Sequence, residues 1–108
     1  MAIEQEVETI GPEIKDPDIS YIQDLSKRLL EEVNIFLQDF KSIPTNVGSL
    51  KAKLEFYESG DFQLAEVDFN CLERSVDFVI KRRGRGDEFK TDVERLAEVR
   101  EKLQNEKN

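Results

Sequence analysis

Phe62, Ala65, Phe69, Leu72, Val76 and Val79 recur at alternating steps of three and four, the period of one face of an α-helix. Leu64, Cys71 and Phe78 form a second apolar line at steps of seven, on another side of the same helix. A helix that is apolar on more than one side is buried on more than one side. The pattern therefore predicts a central helix over residues 61–83, and the other segments each offer one stripe to pack against it. Ile22, Ser26, Leu29, Val33, Phe36, Phe40 and Ile43, widened by Leu25, Leu30 and Leu37, predict a helix over 18–42. Asp16 or Asp18 can cap its start, and Pro44 ends it by biasing Ile43 away from helical geometry.

Val47, Leu50, Leu54 and Tyr57 give a shorter helix over 46–58, with Thr45 or Asn46 as its cap. Gly60 suits a left-handed helix end, and Asp61 can cap the helix that follows. Phe89, Val93, Leu96 and Leu103, flanked by Ala97 and Val99, predict a last helix over 88–104 with Asp87 as its cap. The links are short, which favours antiparallel neighbours. The expected fold is all-α: a four-helix bundle in one domain over residues 18–108, preceded by a flexible acidic N-terminal arm over 1–17. Gly11-Pro12 and Asp16-Pro17 interrupt that arm. Its Ile3, Val7, Ile10 and Ile14 are spaced to lie on one side of a helix, so docking onto the bundle or a partner is the alternative to a free arm.

The composition adds charge to this picture. Charged residues make up 37% of the 108-residue chain, and the net charge is -8. The acids are concentrated: residues 1–20 hold six acids and one base, and residues 61–80 hold five acids and one base. Such a surface opposes general binding to nucleic acid or anionic membranes, because both rely on neutralising phosphate. No apolar run approaches the roughly 20 residues of a membrane span. The single cysteine, Cys71, cannot close an internal disulfide, and it suits a reducing compartment. With no secretory signal pattern at the start, the expected location is cytoplasmic.

The candidate chemistry is mostly subtractive. There is no histidine, which removes the commonest general acid-base and the commonest metal ligand. One cysteine cannot build a thiolate zinc site, and no phosphate-binding glycine loop is present. The 24 carboxylates fall mostly on expected solvent faces. The chain is accordingly expected to be no enzyme and to hold no cofactor or metal.

Two anomalies remain as candidate partner-binding positions. Lys81, Arg82, Arg83 and Arg85 gather four positive charges beside Gly84 and Gly86. They either contact phosphate or an acidic partner, or simply complement the carbonyl end of the central helix. Phe56 with Leu64, Cys71 and Phe78 either completes an interior shared by all four helices or lines a groove for a partner helix or a second copy.

Phe56-Tyr57-Glu58-Ser59-Gly60-Asp61-Phe62-Gln63-Leu64-Ala65, followed by Phe69 and Leu72, resembles the middle of a tetratricopeptide repeat. The resemblance covers under a fifth of the chain and implies a tight helical hairpin at Gly60. No second copy follows, and such arrays need about three repeats.

The expected function is a non-catalytic protein–protein interaction module: an adaptor, a chaperone-like subunit or an inhibitor acting through helix-face packing. The alternatives are a regulatory nucleic-acid-associated protein that uses the basic cluster, and an acidic inhibitor that mimics nucleic acid.

Overall fold

The computed structural model describes residues 16–107. The expected acidic arm therefore lies, apart from Asp16 and Pro17, outside the described residues. Among those described, four α-helices pack against each other and no strand forms: α1 (Pro17–Leu37), α2 (Thr45–Glu58), α3 (Phe69–Arg83) and α4 (Gly86–Lys107). Gln23 on α1 donates to the carbonyl of Glu58 at the end of α2, so these two run antiparallel. Arg100 near the end of α4 reaches Glu73 and Asn70 at the start of α3, so these do too. Arg83 on α3 meets Glu32 on α1, which makes those two parallel. The bundle runs up, down, up, down.

Local chemistry explains most of the boundaries. The Asp16 carboxylate accepts from the Asp18 amide at 2.8 Å, and Pro17 occupies the first helical position, where its missing N–H costs nothing. Gly60 and Gly84 adopt left-handed backbone at φ 79° and 65°, ending α2 and α3 respectively.

Every helix departs from the expected bounds at one end or both; α4 starts at Gly86, so Asp87 lies in its first turn and is not its cap. α1 stops at Leu37, five residues before 42. Gln38–Pro44 then carry the chain to α2, and Phe40 and Ile43, expected on the inner stripe, are exposed. α2 has no side-chain cap; its first bond runs from the Gly48 amide to the Pro44 carbonyl.

The largest difference is at α3, which begins at Phe69 and not at Asp61. Residues 61–68 form an extended link around a single 3-10 turn (Leu64–Glu66), so the tight hairpin implied by the repeat resemblance does not form. Gln63 and Glu66 close a reciprocal capping box across that turn. Asp68, not Asp61, caps α3 by accepting from the Cys71 amide at 3.0 Å. The Asp68 amide in turn donates to the hydroxyl of fully buried Tyr57 at 2.7 Å. A buried amide needs a partner, and Tyr57 supplies it from α2, pinning the link to the bundle.

α3 is the helix with backbone close to all three others. Leu72, Val76 and Val79 meet Ile22, Leu25, Leu29 and Val33 of α1 in one continuous core, which Val47, Leu54 and Tyr57 of α2 and Phe89, Leu96 and Val99 of α4 complete. The inner face of α4 holds one departure. Val93, expected inside, is 51% exposed, and Asp92 takes the inward position at 5% exposure. Its carboxylate accepts from the Tyr21 hydroxyl at 2.6 Å and from two nitrogens of Arg28 at 3.1 and 3.2 Å. Arg28 also holds Asp24 at 3.0 Å and lies over the Phe89 ring, while Arg95 covers the Tyr21 ring. Glu32 of α1 is a second inward acid, paired with Arg83 at 3.0 Å and Arg85 at 3.6 Å.

Burial, and then the bonded Asp92 carboxylate, push the Tyr21 hydroxyl well above the ordinary tyrosine range, outweighing the opposite pull of Arg28 and Arg95. An unfolded chain releases the Tyr21 proton near pH 10, and the folded chain retains it. Tyr21 therefore contributes stability that is complete below that pH and is lost as pH rises further. Urea unfolding at about pH 8 and about pH 11 should show a smaller alkaline loss in Tyr21→Phe than in the unchanged chain. Gly84→Ala meets open space and carries only left-handed strain, so denaturant titration should show a loss of about 1 kcal/mol. At Gly60 a Cβ would also come within 2.7 Å of the Gln23 amide nitrogen, so Gly60→Ala should cost more than Gly84→Ala.

Candidate functional site

α2 leans on α1 over most of its length and touches α3 far less. Its outer face and the facing side of α3 therefore leave a groove of about 920 Å³ between them. Leu50, Cys71 and Phe78 supply the apolar lining. Phe78 is half-buried, and its ring meets Phe36 of α1 edge-on with centroids 4.9 Å apart. Phe36 in turn packs on exposed Phe40 at 4.9 Å. A ladder of three rings thus joins the groove to the surface at the end of α1.

The rim is charged. Lys53 stands on the α2 side, and Arg74, Lys81 and Arg82 stand on the α3 side. The acids nearby are already engaged: Asp77 pairs with Lys81 at 3.2 Å, Glu73 with Arg100 at 3.0 Å, and Asp68 caps its helix. Among the described residues, Lys53, Arg74 and Arg82 make no ion pair and no side-chain hydrogen bond. In a chain of net charge -8, the described residues lining this groove carry four bases and three acids, a local excess of positive charge.

The sequence-derived positions separate in space. Cys71, Phe78, Lys81 and Arg82 come together in the groove. Leu64 lies on the 3-10 turn and not on α3, so the expected seven-residue line is broken at its first member; its side chain packs, half-buried, against the core. Phe56 is 44% exposed on the other side of α2, against Tyr57 and Phe62 at 5.5 and 6.3 Å. Arg83 and Arg85 turn toward Glu32 of α1, and Arg85 also holds Glu88. The cluster of four bases is therefore divided: two stand at the groove and two neutralise an inward acid.

Sequence reasoning missed Leu50 as a groove residue, since its spacing assigned it to the inner stripe of α2. It also missed Lys53 and Arg74, which look like ordinary solvent-facing charges until α2 and α3 are placed side by side. Asp92 and Glu32 were equally hidden, because a carboxylate on a mixed face gives no sign that an arginine from another helix will meet it. The Asp92 cluster is closed by its own hydrogen bonds, so its chemistry is consumed in joining α1 to α4. No group of three or more metal-ligating side chains occurs among the described residues.

Comparison with protein-family models, curated proteins and solved structures finds no match to this chain.

Cys71 is 3% exposed, and burial, with Asp68 adding to it, raises its thiol above the usual range against the pull of Arg74, Ser75 and Lys53. Attack by a thiol reagent requires the exposed thiolate. Alkylation of the native protein at neutral pH should therefore be slower by about tenfold or more than in strong denaturant, where the thiol regains its ordinary character. Equal rates in the two conditions would place the thiol in the open groove.

Proposed function

We propose that this chain is a non-catalytic protein-interaction module, an adaptor, chaperone-like subunit or inhibitor, whose contact surface is the groove between α2 and α3. The observation that carries the reading is the pairing of an apolar lining (Leu50, Phe78) with three cations (Lys53, Arg74, Arg82) that make no ion pair among the described residues, along one open channel. Apolar grooves between helices take the apolar face of an amphipathic helix, and flanking charge fixes its orientation. The ring ladder through Phe36 to Phe40 extends the apolar surface beyond the channel.

No helix among the described residues is long and apolar enough to cross a membrane. A lone buried thiol suits the reducing interior of a cell, which is where we place the module's action. Contact with nucleic acid through the basic cluster is the weaker reading. Arg83 and Arg85 are held by Glu32, which leaves Lys81 and Arg82 too few to offset an acidic exterior.

Quantitative capture from an extract of the source cells tests the reading with three baits: the unchanged chain, Leu50→Lys in the groove, and Val93→Lys on exposed α4. A specific partner should be retained by the unchanged chain and by Val93→Lys, and its retention should fall by about tenfold with Leu50→Lys, as for the loss of a central apolar contact. Matching thermal melts would confirm that the baits are folded. A retained set that is identical for all three baits overturns the proposal.

A further inference from the structure

We infer that the groove receives an acidic amphipathic helix of a partner protein, with its apolar line on Leu50 and Phe78 and its carboxylates at Lys53, Arg74 and Arg82. This rests on the reading of the groove as a binding surface, and adds the length and charge of what fills it.

Length comes from the walls. On α3 the lining runs from Asn70 to Arg82, about 18 Å at the helical rise of 1.5 Å per residue. A partner helix of about 12 residues, a little over three turns, spans that distance. On α2 the lining runs from Asn46 to Lys53. The Tyr57–Asp68 bond joins the end of α2 to the start of α3, so the two walls run antiparallel. Lys53 and Arg74 therefore lie toward that joint, Leu50 and Phe78 lie further along, and Arg82 stands at the far end. The channel thus offers cation, apolar surface and cation in turn.

Charge selects among helices of that length. Arg28, Arg83 and Arg100 hold acids from neighbouring helices. Lys53, Arg74 and Arg82 hold none among the described residues. Lys53 from one wall and Arg74 from the other both pull on the Cys71 thiol, so they converge on one stretch of the channel. The lining acids Glu73 and Asp77 are engaged by Arg100 and Lys81. An entering carboxylate therefore meets unpaired cations, whereas an entering lysine meets an excess of its own charge.

The apolar contact is small. Cys71 is buried, which leaves half-buried Leu50 and Phe78, continued past the end of the channel by the rings of Phe36 and Phe40. With so little apolar surface to discriminate, the rim charges decide which helix is accepted. The described helices of a second copy do not fit, since their apolar faces are spent on their own core.

Selection from a display library of helical peptides about 16 residues long, with one apolar line fixed and the flanking positions free, tests this. The baits are the unchanged chain, Leu50→Lys, and a triple reversal carrying Lys53→Glu, Arg74→Glu and Arg82→Glu. The unchanged chain should enrich Glu and Asp beside the apolar line, and the triple reversal should enrich Lys and Arg there. The best acidic peptide, labelled and followed by fluorescence anisotropy, should bind the triple reversal about tenfold more weakly, since each exposed pair contributes a few-fold. Leu50→Lys should retain neither class. Matching thermal melts would show that all baits are folded. Neutral or basic flanks selected by the unchanged chain, equal affinity of the acidic peptide for the triple reversal, or no peptide retained would each overturn the inference. A dimer in sedimentation that Leu50→Lys dissociates would overturn it in favour of a second copy. If neutral or basic peptides are selected and Leu50→Lys loses them, the interaction reading stands and only the partner's charge is wrong. If no peptide is retained, capture from the cell extract decides that reading by itself.

Discussion

α1 and α4 bury apolar surface against α3, while α2 buries most of its own against α1. Leu72, Val76 and Val79 are almost wholly buried, and each substantial aliphatic side chain taken from water stabilises the fold by about 1.5–3 kcal/mol. The other contacts take their positions from this seam. α1 lies along it in parallel, α2 is held mainly by α1, and α4 folds back after Gly84 to close the remaining side. A helix packed this way cannot slide, because a shift by one residue would bring polar positions such as Glu73 or Asp77 into the interior.

α4 has few apolar residues, and side-chain pairing supplies much of its attachment. The buried Asp92 carboxylate is bonded by Tyr21 and by two nitrogens of Arg28, and Arg100 ties the far end of α4 to Glu73 and Asn70. Removing one partner from such a buried pair leaves an uncompensated charge, so the cluster fixes register even where its net contribution to stability is small. Glu32 with Arg83 and Arg85 does the same between α1 and the turn into α4. The two clusters tie α1 to α4 and to the end of α3.

The groove is a by-product of the same packing. α2 is committed to α1, and the link from Gly60 to Asp68 is pinned by Tyr57, so α2 cannot close against α3. The space left between them keeps Leu50 and Phe78 only partly covered and brings Lys53 opposite Arg74 and Arg82. A binding surface therefore arises where two well-packed helices are each held by a third.

The sequence by itself determined the class of fold, the number of helices and the inner positions Phe69, Leu72, Val76 and Val79 of α3, because helical periodicity is a local property written in consecutive residues. It did not place Phe62 and Ala65, which lie ahead of that helix, with Ala65 exposed. It also determined the left-handed turn at Gly60. The start of α3 was not legible: Asp61 and Asp68 are both good caps, and the choice fell to Asp68 because Tyr57, eleven residues earlier, bonds its amide. The inward turn of Asp92 and Glu32 was hidden for the same reason, since each depends on an arginine or tyrosine from another helix. So was the division of the basic cluster, in which neighbours in sequence, Arg82 and Arg83, face different surroundings. Which charges are spent inside the bundle and which remain free at its surface is settled only when distant side chains meet, and no spacing along the chain encodes that meeting.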